Sequence, residues 1–239
     1  MPTVTFGTYC HPPHLPKLHK LGVLASILGT HKYPFAEVIV VHQRCRGLEY
    51  IPFDIPTRIF ETEDFYPQIF AKYGIKWPDQ VMSDLTHGPS GAHFWENHVM
   101  NLLIVGMQAT SEYIVFSDCD CKMIKNEPSS WIEQGIQLLT KYPSKILLIS
   151  PSDGAGPRYD QTMSQQMFLI RRDRFLNIEW NREWNGKFDA PGGPFQEYYG
   201  LAEGRIGRHL TNHGLYRYVL PNNFRYWHYD EWKSNEYMP

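Results

Sequence analysis

The sequence feature that most constrains the fold is a run of β-branched residues, Glu-Val-Ile-Val-Val-His, at Glu37–His42. Runs of this kind are typical of strands that are buried on both faces of a parallel sheet. Two segments precede it: a short apolar segment at 4–9, and a stretch at 15–28 in which apolar residues recur every three or four positions, as in a helix. Strand, helix and strand in this order predict a parallel βαβ unit with a right-handed crossover. We therefore expect an α/β protein.

The rest of the sequence extends this unit into one mostly parallel mixed sheet flanked by helices. Thr57–Glu61 predicts a weaker third strand, and the segment 64–89 matches no element well. Ser130 and Glu133 form a capping box that predicts a helix at 131–140. Further strands are predicted at 113–117, 146–150 and 165–170, a helix after Ser90 with Val99, Leu102, Leu103 and Gly106 on its buried face, and a last helix at 195–210. No repeat or linker divides the chain, so 1–239 is expected to form a single domain.

Composition narrows the classes of function. A chain of 239 residues that is 42% apolar can bury the core of one sizeable domain. The net charge of −2 gives no electrostatic reason to expect a nucleic-acid partner. No apolar run could span a membrane and no signal peptide is recognisable, so a complete chain is expected to be soluble and cytoplasmic. The cysteines lack the spacing of a disulfide scaffold and are expected to be structural thiols: Cys10, Cys45, Cys119 and Cys121.

Two carboxylates, Asp118 and Asp120, directly follow the hydrophobic strand predicted at 113–117. Ligands of open α/β sheets bind beyond the carboxyl ends of the parallel strands. Carboxylates this close repel each other unless a cation or hydrogen-bond donors compensate. Mn²⁺ or Mg²⁺ accepts carboxylate oxygens and keeps positions for phosphate oxygens, so it could neutralise a departing diphosphate. The alternative is a turn in which the two aspartates cap backbone groups.

A resemblance to the GT-A-fold glycosyltransferases rests on three stretches: Phe94-Trp95-Glu96-Asn97, Leu102-Leu103-Ile104-Val105-Gly106 and Ile114-Val115-Phe116-Ser117-Asp118-Cys119-Asp120. Within that fold the chain is similar to the inverting β-1,4-galactosyltransferase and chondroitin-polymerase-like group. The resemblance implies a GT-A (Rossmann-like) fold, with a nucleotide-sugar donor-binding half at 1–120 and an acceptor-side half at 121–239. It also implies that Asp120 binds the metal and that Asp118 meets the metal or the ribose of the donor.

The resemblance implies donor contacts outside the carboxylate pair as well. Thr8 and Tyr9, at the end of the first strand, would lie near the base or ribose, and Asn97 is a further donor-binding candidate. His42 ends the second strand where many relatives carry Asp, and Trp95-Glu96-Asn97 replaces the Asn-Arg-Ala of the galactosyltransferase group. Both departures leave the identity of the nucleotide open.

An inverting transferase needs a carboxylate that takes the proton of the acceptor hydroxyl. In relatives it opens a late helix after a glycine-rich loop, a setting that Glu197 shares here, with Asp189 as the reserve candidate. An ordinary glutamate at a helix start is the alternative for Glu197. His228, after a terminal strand, occupies the position of a frequent third metal ligand in such enzymes, and neutral imidazole suits Mn²⁺. A packed, hydrogen-bonded ring is the alternative for His228.

Aromatic residues late in the chain could form a platform for an acceptor sugar, because an aromatic face offers apolar area to the C–H side of a sugar ring. Core packing explains any one of them equally well. The candidates are Trp180, Trp184, Tyr198, Tyr199 and Trp227.

The sequence therefore predicts a metal-dependent glycosyltransferase of the hexosyltransferase type that moves a sugar from a nucleoside-diphosphate donor, a UDP-sugar in the first instance, to a hydroxyl of a glycan or related acceptor. Retention instead of inversion stays open. A haloacid-dehalogenase-type phosphatase also places Asp-x-Asp after a strand, but it wants Thr or Val where Lys122 stands. A non-catalytic carbohydrate-binding module would explain the aromatic residues without needing the carboxylate pair.

Overall fold

The computed structural model describes residues 1–10, 23–42, 55–75, 92–119, 121–163, 166–180 and 202–228, with the side chains of Cys10, Val23, Glu63, 92–98 and His228 outside the description. The strands in these ranges are β1 (Val4–Cys10), β2 (Glu37–His42), β3 (Thr57–Glu61), β4 (Tyr113–Asp118), β5 (Cys121–Asn126), β6 (Ile146–Ser150), β7 (Arg158–Asp160), β8 (Met167–Arg171), β9 (Tyr216–Val219) and β10 (Phe224–His228). The helices are α1 (Val23–Thr30), α2 (Tyr66–Tyr73), α3 (Ala92–Gln108), α4 (Trp131–Lys141), α5 (Arg172–Leu176) and α6 (Ala202–Asn212), and a 3-10 helix spans Thr62–Phe65.

Eight of these strands form one large mixed sheet in the order β3-β2-β1-β4-β8-β6-β9-β7, and β5 and β10 form a separate two-stranded sheet. The half that contains β3, β2, β1 and β4 is parallel throughout. Strand β8 runs antiparallel to both β4 and β6, β9 runs parallel to β6, and β7 runs antiparallel to β9. The expectation of an α/β protein with a mostly parallel mixed sheet is confirmed.

The sheet is covered on both faces, as the β-branched run at Glu37–His42 predicted. Val38 and Val40 of β2 belong to an apolar cluster with α1, α4 and the β5–β10 sheet. Ile39 and Val41 belong to a second cluster with α2, α3, α5 and α6 on the other face. All four side chains are at most 4% exposed, and each fully buried Val or Ile contributes about 1.5–3 kcal/mol through its removal from water.

Local sequence signals located several elements closely. The capping box of Ser130 and Glu133 is present, with Ser130 Oγ accepting from Ile132 N and Glu133 accepting from Ser130 N. The predicted buried face of α3 is confirmed at Val99, Leu102, Leu103 and Gly106.

Other elements escaped the sequence patterns. Helix α2 was missed, although Pro67 in its first turn and the left-handed Gly74 after its end are helix signals. None of the described helices has both the length and the apolar character needed to cross a membrane.

Helix α3 packs very closely on β1, because β1 has no side chain at the crossing. A Cβ added to Gly7 would lie 2.3 Å from Cγ1 of Val105. This close approach brings the middle of α3 against the last residues of β1. The helix thereby forms one wall of the space at the end of the strand.

Candidate functional site

The carboxyl ends of β1, β2 and β4 meet at one edge of the large sheet, because these strands are parallel neighbours. The register places Tyr9 opposite Asp118 and Thr8 opposite Ser117. On the other side of β1, Cys10 lies opposite His42. Residues that are more than 100 positions apart in the chain, Tyr9 and Asp118, are therefore direct neighbours where open α/β sheets bind ligands.

The two-stranded sheet brings a further residue to the same edge. Strand β5 begins at Cys121, directly after Asp120, and its antiparallel partner β10 ends at His228, which lies opposite Cys121. The main chain of His228 is thus one residue away, across the strand pair, from the Asp118-Cys119-Asp120 segment. The sequence placed His228 after a terminal strand but did not predict β5, so the pairing of β10 with β5 supplies the proximity that the prediction needed.

A narrow recess lies at the end of β1, with about 200 Å³ of space between atoms, including solvent at its mouth. Its polar lining comes from Thr8 and Tyr9 of β1, Ser117 and Asp118 of β4, and Asn101 of α3. Small-molecule sites generally occupy about 300–1,000 Å³. The recess is smaller than such a site and leaves essentially no room for a water molecule between the described side chains, so a ligand would contact these residues at its mouth.

The hydroxyl of Thr8 is the most informative polar group in this recess. Thr8 is 2% exposed, and within the described part of the chain its Oγ1 makes no hydrogen bond. A buried hydroxyl without a partner costs about 1–3 kcal/mol. A ligand with a polar atom in the recess would recover that free energy, so the position suits ligand binding better than it suits folding.

Asn101 also lines the recess, and the sequence patterns did not single it out. The hydroxyl of Thr62 is 2.8 Å from Oδ1 of Asn101 and 3.0 Å from the carbonyl oxygen of His42. These contacts connect α3, the 3-10 helix and the end of β2 inside the protein. A buried asparagine within the apolar segment 99–105 is the signal that could have identified it.

The described cysteines next to the carboxylate pair are structural. Cys119 is 4% exposed and Cys121 is fully buried. This confirms the prediction of structural thiols for these two residues. Because Cys119 and Cys121 are buried, they anchor the segment between β4 and β5 on both sides of Asp120.

Several predicted site residues lie outside the described residues. They are Asp120, Asp189, Glu197, Trp184, Tyr198 and Tyr199. Asn97 lies in α3 and His228 ends β10, but their side chains are not described. The roles assigned to all of these residues remain predictions.

The two remaining aromatic candidates for an acceptor platform differ in exposure. Trp180 is 1% exposed, its ring centroid is 5.0 Å from that of Phe175, and its Nε1 donates to the carbonyl oxygen of Phe175 at 3.0 Å. Trp180 is therefore a core residue, which is the core-packing alternative that the sequence left open for this position. Trp227 is 56% exposed and remains a candidate.

The opposite edge of the same strands holds a carboxylate of a different kind. Glu37, at the start of β2, accepts hydrogen bonds from Oγ1 of Thr5 at 2.7 Å, from the backbone N and Oγ1 of Thr110 at 2.7 and 2.9 Å, and from Arg58 at 2.6 Å. Burial raises the pKa of Glu37, but hydrogen bonds from Thr110, Thr5 and Arg58 outweigh it and hold the pKa below its ordinary value. Glu37 is a structural carboxylate.

No protein-family model matches the sequence, and comparison with curated proteins finds no match. Among solved structures, the chain is similar to A197 from STIV, with 11% sequence identity, a TM-score of 0.42, and coverage of 96% of this chain and 86% of that chain. A similarity at this level carries no functional information, so the function is argued from the site alone.

Proposed function

We propose that the chain is a metal-dependent glycosyltransferase of the GT-A fold that uses a nucleoside-diphosphate sugar, with UDP as the first nucleotide to test. The single observation that carries the proposal is the convergence of strand ends. Thr8 and Tyr9 of β1 lie opposite Ser117 and Asp118 of β4, and β10 ends at His228 opposite Cys121, beside Asp120.

The residue types at this edge suit a nucleoside diphosphate. The unsatisfied hydroxyl of Thr8 can serve as both donor and acceptor towards a ribose or base. Asp118 is half-buried at the end of β4, where a ribose hydroxyl or a cation could meet it. The order of these groups, with Thr8 and Tyr9 on one strand and the acidic pair on the next, agrees with the roles that the resemblance implies.

The donor set supports Mn²⁺ or Mg²⁺. Two carboxylates, Asp118 and Asp120, and one imidazole, His228, are the residues that would hold the cation. When bound, a divalent cation supplies charge neutralisation for a departing diphosphate. Asp118 would also orient the donor, and the neighbouring hydroxyl of Thr8 would fix the nucleoside end.

Acceptor activation is assigned to Glu197, with Asp189 in reserve, and with inversion as the expected outcome. Either carboxylate would take the proton of the acceptor hydroxyl as that oxygen attacks the sugar. Glu197 near the start of a helix would be held ionised by the helix dipole. A glycan or related hydroxyl compound is the proposed acceptor.

The deciding experiment measures UDP binding by calorimetry with and without Mn²⁺, followed by a screen of UDP-sugars for Mn²⁺-dependent hydrolysis. Wild type and Asp118→Asn are compared with Asp173→Asn, whose exposed carboxylate pairs with Arg171 at 3.0 Å and lies in α5, after the end of β8 that is opposite the start of β4. We expect Mn²⁺-dependent binding in wild type and in the control, and its loss in Asp118→Asn. Equal binding by all three proteins, or binding that ignores Mn²⁺, would refute the proposal.

A further inference from the structure

A group of three potential metal ligands lies away from the proposed sugar-transfer site. Glu179, His209 and His213 each offer one ligand atom, and these three atoms lie within 4.8 Å of one another. Nε2 of His213 is 3.9 Å from Oε2 of Glu179, and the two imidazole centroids are 4.4 Å apart. Two atoms that each bind a tetrahedral Zn²⁺ at about 2.1 Å are separated by about 3.4 Å. Side-chain adjustments well below 1.5 Å would therefore bring the group to ligating geometry.

The backbone already holds these residues together. His213 follows the end of α6, and its backbone N donates to the carbonyl oxygen of His209 at 3.2 Å, so the two imidazoles are one helical turn apart. Arg208 donates to the carbonyl oxygen of Glu179 at 3.2 Å, and Arg205 donates to the carbonyl oxygen of Trp180. The arginines fasten the segment that carries Glu179 to the helix that carries the histidines.

A buried and unsatisfied nitrogen gives the second, independent indication of a ligand. His209 is only 9% exposed, and its Nδ1 makes no hydrogen bond within the described part of the chain. A buried imidazole nitrogen without a partner is costly. A metal ion, or a bridging water, would satisfy it. His213 is about half exposed, so the group remains accessible from solvent.

The charges around the group are mixed. Burial lowers the pKa of His209, and His213, Arg174 and Arg208 lower it further, while Glu179 acts in the opposite direction. The arginines oppose a second positive charge, but both donate to backbone carbonyls, Arg174 to that of Ile146 and Arg208 to that of Glu179.

We propose that Glu179, His209 and His213 bind a transition-metal dication of the Zn²⁺ type. The bound ion would connect the segment after α5 to the end of α6. Two imidazole nitrogens and one carboxylate oxygen suit Zn²⁺ better than Mg²⁺ or Ca²⁺, which take oxygen ligands. Three protein ligands leave a fourth position for water. The proposal is independent of the sugar-transfer function.

This metal site lies at the opposite edge of the sheet from Asp118. Helix α5 follows the end of β8, where Arg171 lies opposite Tyr113 at the start of β4. Tyr216, which begins β9 soon after His213, donates through its backbone N to Lys145, just before β6. The group therefore lies where β4, β6 and β9 begin, whereas Asp118 ends β4. The two candidate metal sites can be removed separately.

Calorimetric titration of the metal-free full chain with Zn²⁺ tests the proposal. The ligand variants are His213→Ala and Glu179→Gln, which change partly exposed side chains. The matched control is Asn212→Ala, an exposed residue next to His213, and Asp118→Asn removes a ligand of the other site. We expect one Zn²⁺ per chain in wild type and in both controls. Loss of even an outer-shell partner typically weakens metal binding about 10–100-fold, so each ligand variant should lose at least about 100-fold.

The visible spectrum of the Co²⁺-loaded chain provides a second readout, because nitrogen ligands change the absorption of bound Co²⁺. The spectrum should be the same in wild type and Asn212→Ala, and it should lose its nitrogen-ligand bands in His213→Ala, which removes one of the two imidazoles. Zn²⁺ affinity that is equal in wild type and both ligand variants would overturn the proposal. A wild-type chain that takes up no Zn²⁺, or Zn²⁺ binding lost only in Asp118→Asn, would also overturn it.

Discussion

The two ends of β1 and its neighbouring strands contain similar residues that differ in hydrogen bonding. At the amino end, the hydroxyl of Thr5 donates to Glu37, and the buried carboxylate is also bonded by Arg58 and Thr110. At the carboxyl end, three residues further along the same strand, the equally buried hydroxyl of Thr8 makes no hydrogen bond within the described residues. One end satisfies its polar groups internally, and the other retains a group that a ligand could satisfy.

This difference shows how a carboxylate at a strand end can be assigned a role. A buried carboxylate with four protein donors, such as Glu37, already has its charge compensated, so it stabilises the fold. An acidic pair that follows a strand end in the sequence, such as Asp118 and Asp120, is a pattern whose charge a cation can compensate. Four predictions follow from this difference between the two strand ends.

The largest effect is expected from Asp120→Ala. Removal of a ligand that positions the charge-neutralising cation should lower kcat for Mn²⁺-dependent sugar transfer by about 10³-fold, because electrostatic stabilisation of a leaving group contributes several kcal/mol. The thermal midpoint should change little without metal. Glu112→Gln, an exposed carboxylate at the amino end of β4, is the control and should retain full activity. Normal turnover by Asp120→Ala with unchanged Mn²⁺ dependence would remove the metal assignment.

Glu37→Gln should have the opposite effect to Asp120→Ala: stability should fall and turnover should not. Breaking the ion pair with the partly exposed Arg58 and weakening the hydrogen bonds of the buried carboxylate should lower the free energy of unfolding by about 2 kcal/mol, while turnover per folded molecule is unchanged. Because the folded-state pKa of Glu37 is lowered, its contribution is present above its ordinary pKa and is lost as the pH falls below it. Urea unfolding at neutral and acidic pH measures both effects. A Glu37→Gln variant as stable as wild type would show that the Glu37 carboxylate does not stabilise the fold.

His31 is a second buried residue with a structural role, and it should make the stability of the fold depend on pH. Its Nδ1 accepts from Nε1 of Trp131 at 2.9 Å, and burial lowers its pKa to about 3. Between about pH 6.5 and that value the unfolded chain binds a proton that the folded chain does not, so stability falls with falling pH by up to about 1.4 kcal/mol per unit.

The measurement for this prediction is urea unfolding at about pH 6.5 and about pH 4.5. His209 has a lowered pKa as well and acts in the same direction, so the difference between wild type and His31→Gln isolates His31. His31→Gln should be less stable at neutral pH and should vary less with pH. Identical pH slopes in the two proteins would contradict the assignment.

The sharpest comparison uses one substitution at both ends of β1. Thr5→Val removes a donor from Glu37 and should lower stability by about 1 kcal/mol, whereas Thr8→Val replaces an unsatisfied hydroxyl and should raise stability by up to about 1 kcal/mol. If the Thr8 hydroxyl binds the nucleoside, Thr8→Val should also weaken UDP binding about tenfold. Thermal unfolding and calorimetry measure the two quantities. Stability changes of the same sign for Thr5→Val and Thr8→Val would show that the two hydroxyls do not differ in the way proposed.

The sequence predicted the parallel half of the sheet well because its signals are local. The β-branched run of β2, the apolar strand before Asp118, and the capping box of α4 depend on residues within a few positions of one another. The same local pattern placed the carboxylate pair at a strand end. Short or polar strands such as β7 and β9 lack periodicity and were not predicted.

Contacts between distant segments could not be predicted in this way. Trp180 is an aromatic residue of the kind that stacks on sugar rings, but it lies in the core against Phe175. His209 and His213 have the four-residue spacing of helical metal ligands, which the sequence displays, but the approach of Glu179 to them depends on how α5 and α6 pack.

Hydrophobic periodicity and helix capping act over a few residues, so local patterns were enough to predict the alternation of strands and helices and the position of Asp118 and Asp120 after a buried strand. The packing of the folded chain sets the rest: Tyr9 lies opposite Asp118, His228 lies opposite Cys121, and among the described residues Glu37 has four donors while the Thr8 hydroxyl has no hydrogen-bond partner. Strand register and helix packing set these contacts, and both depend on the burial of apolar surface from the whole chain at once.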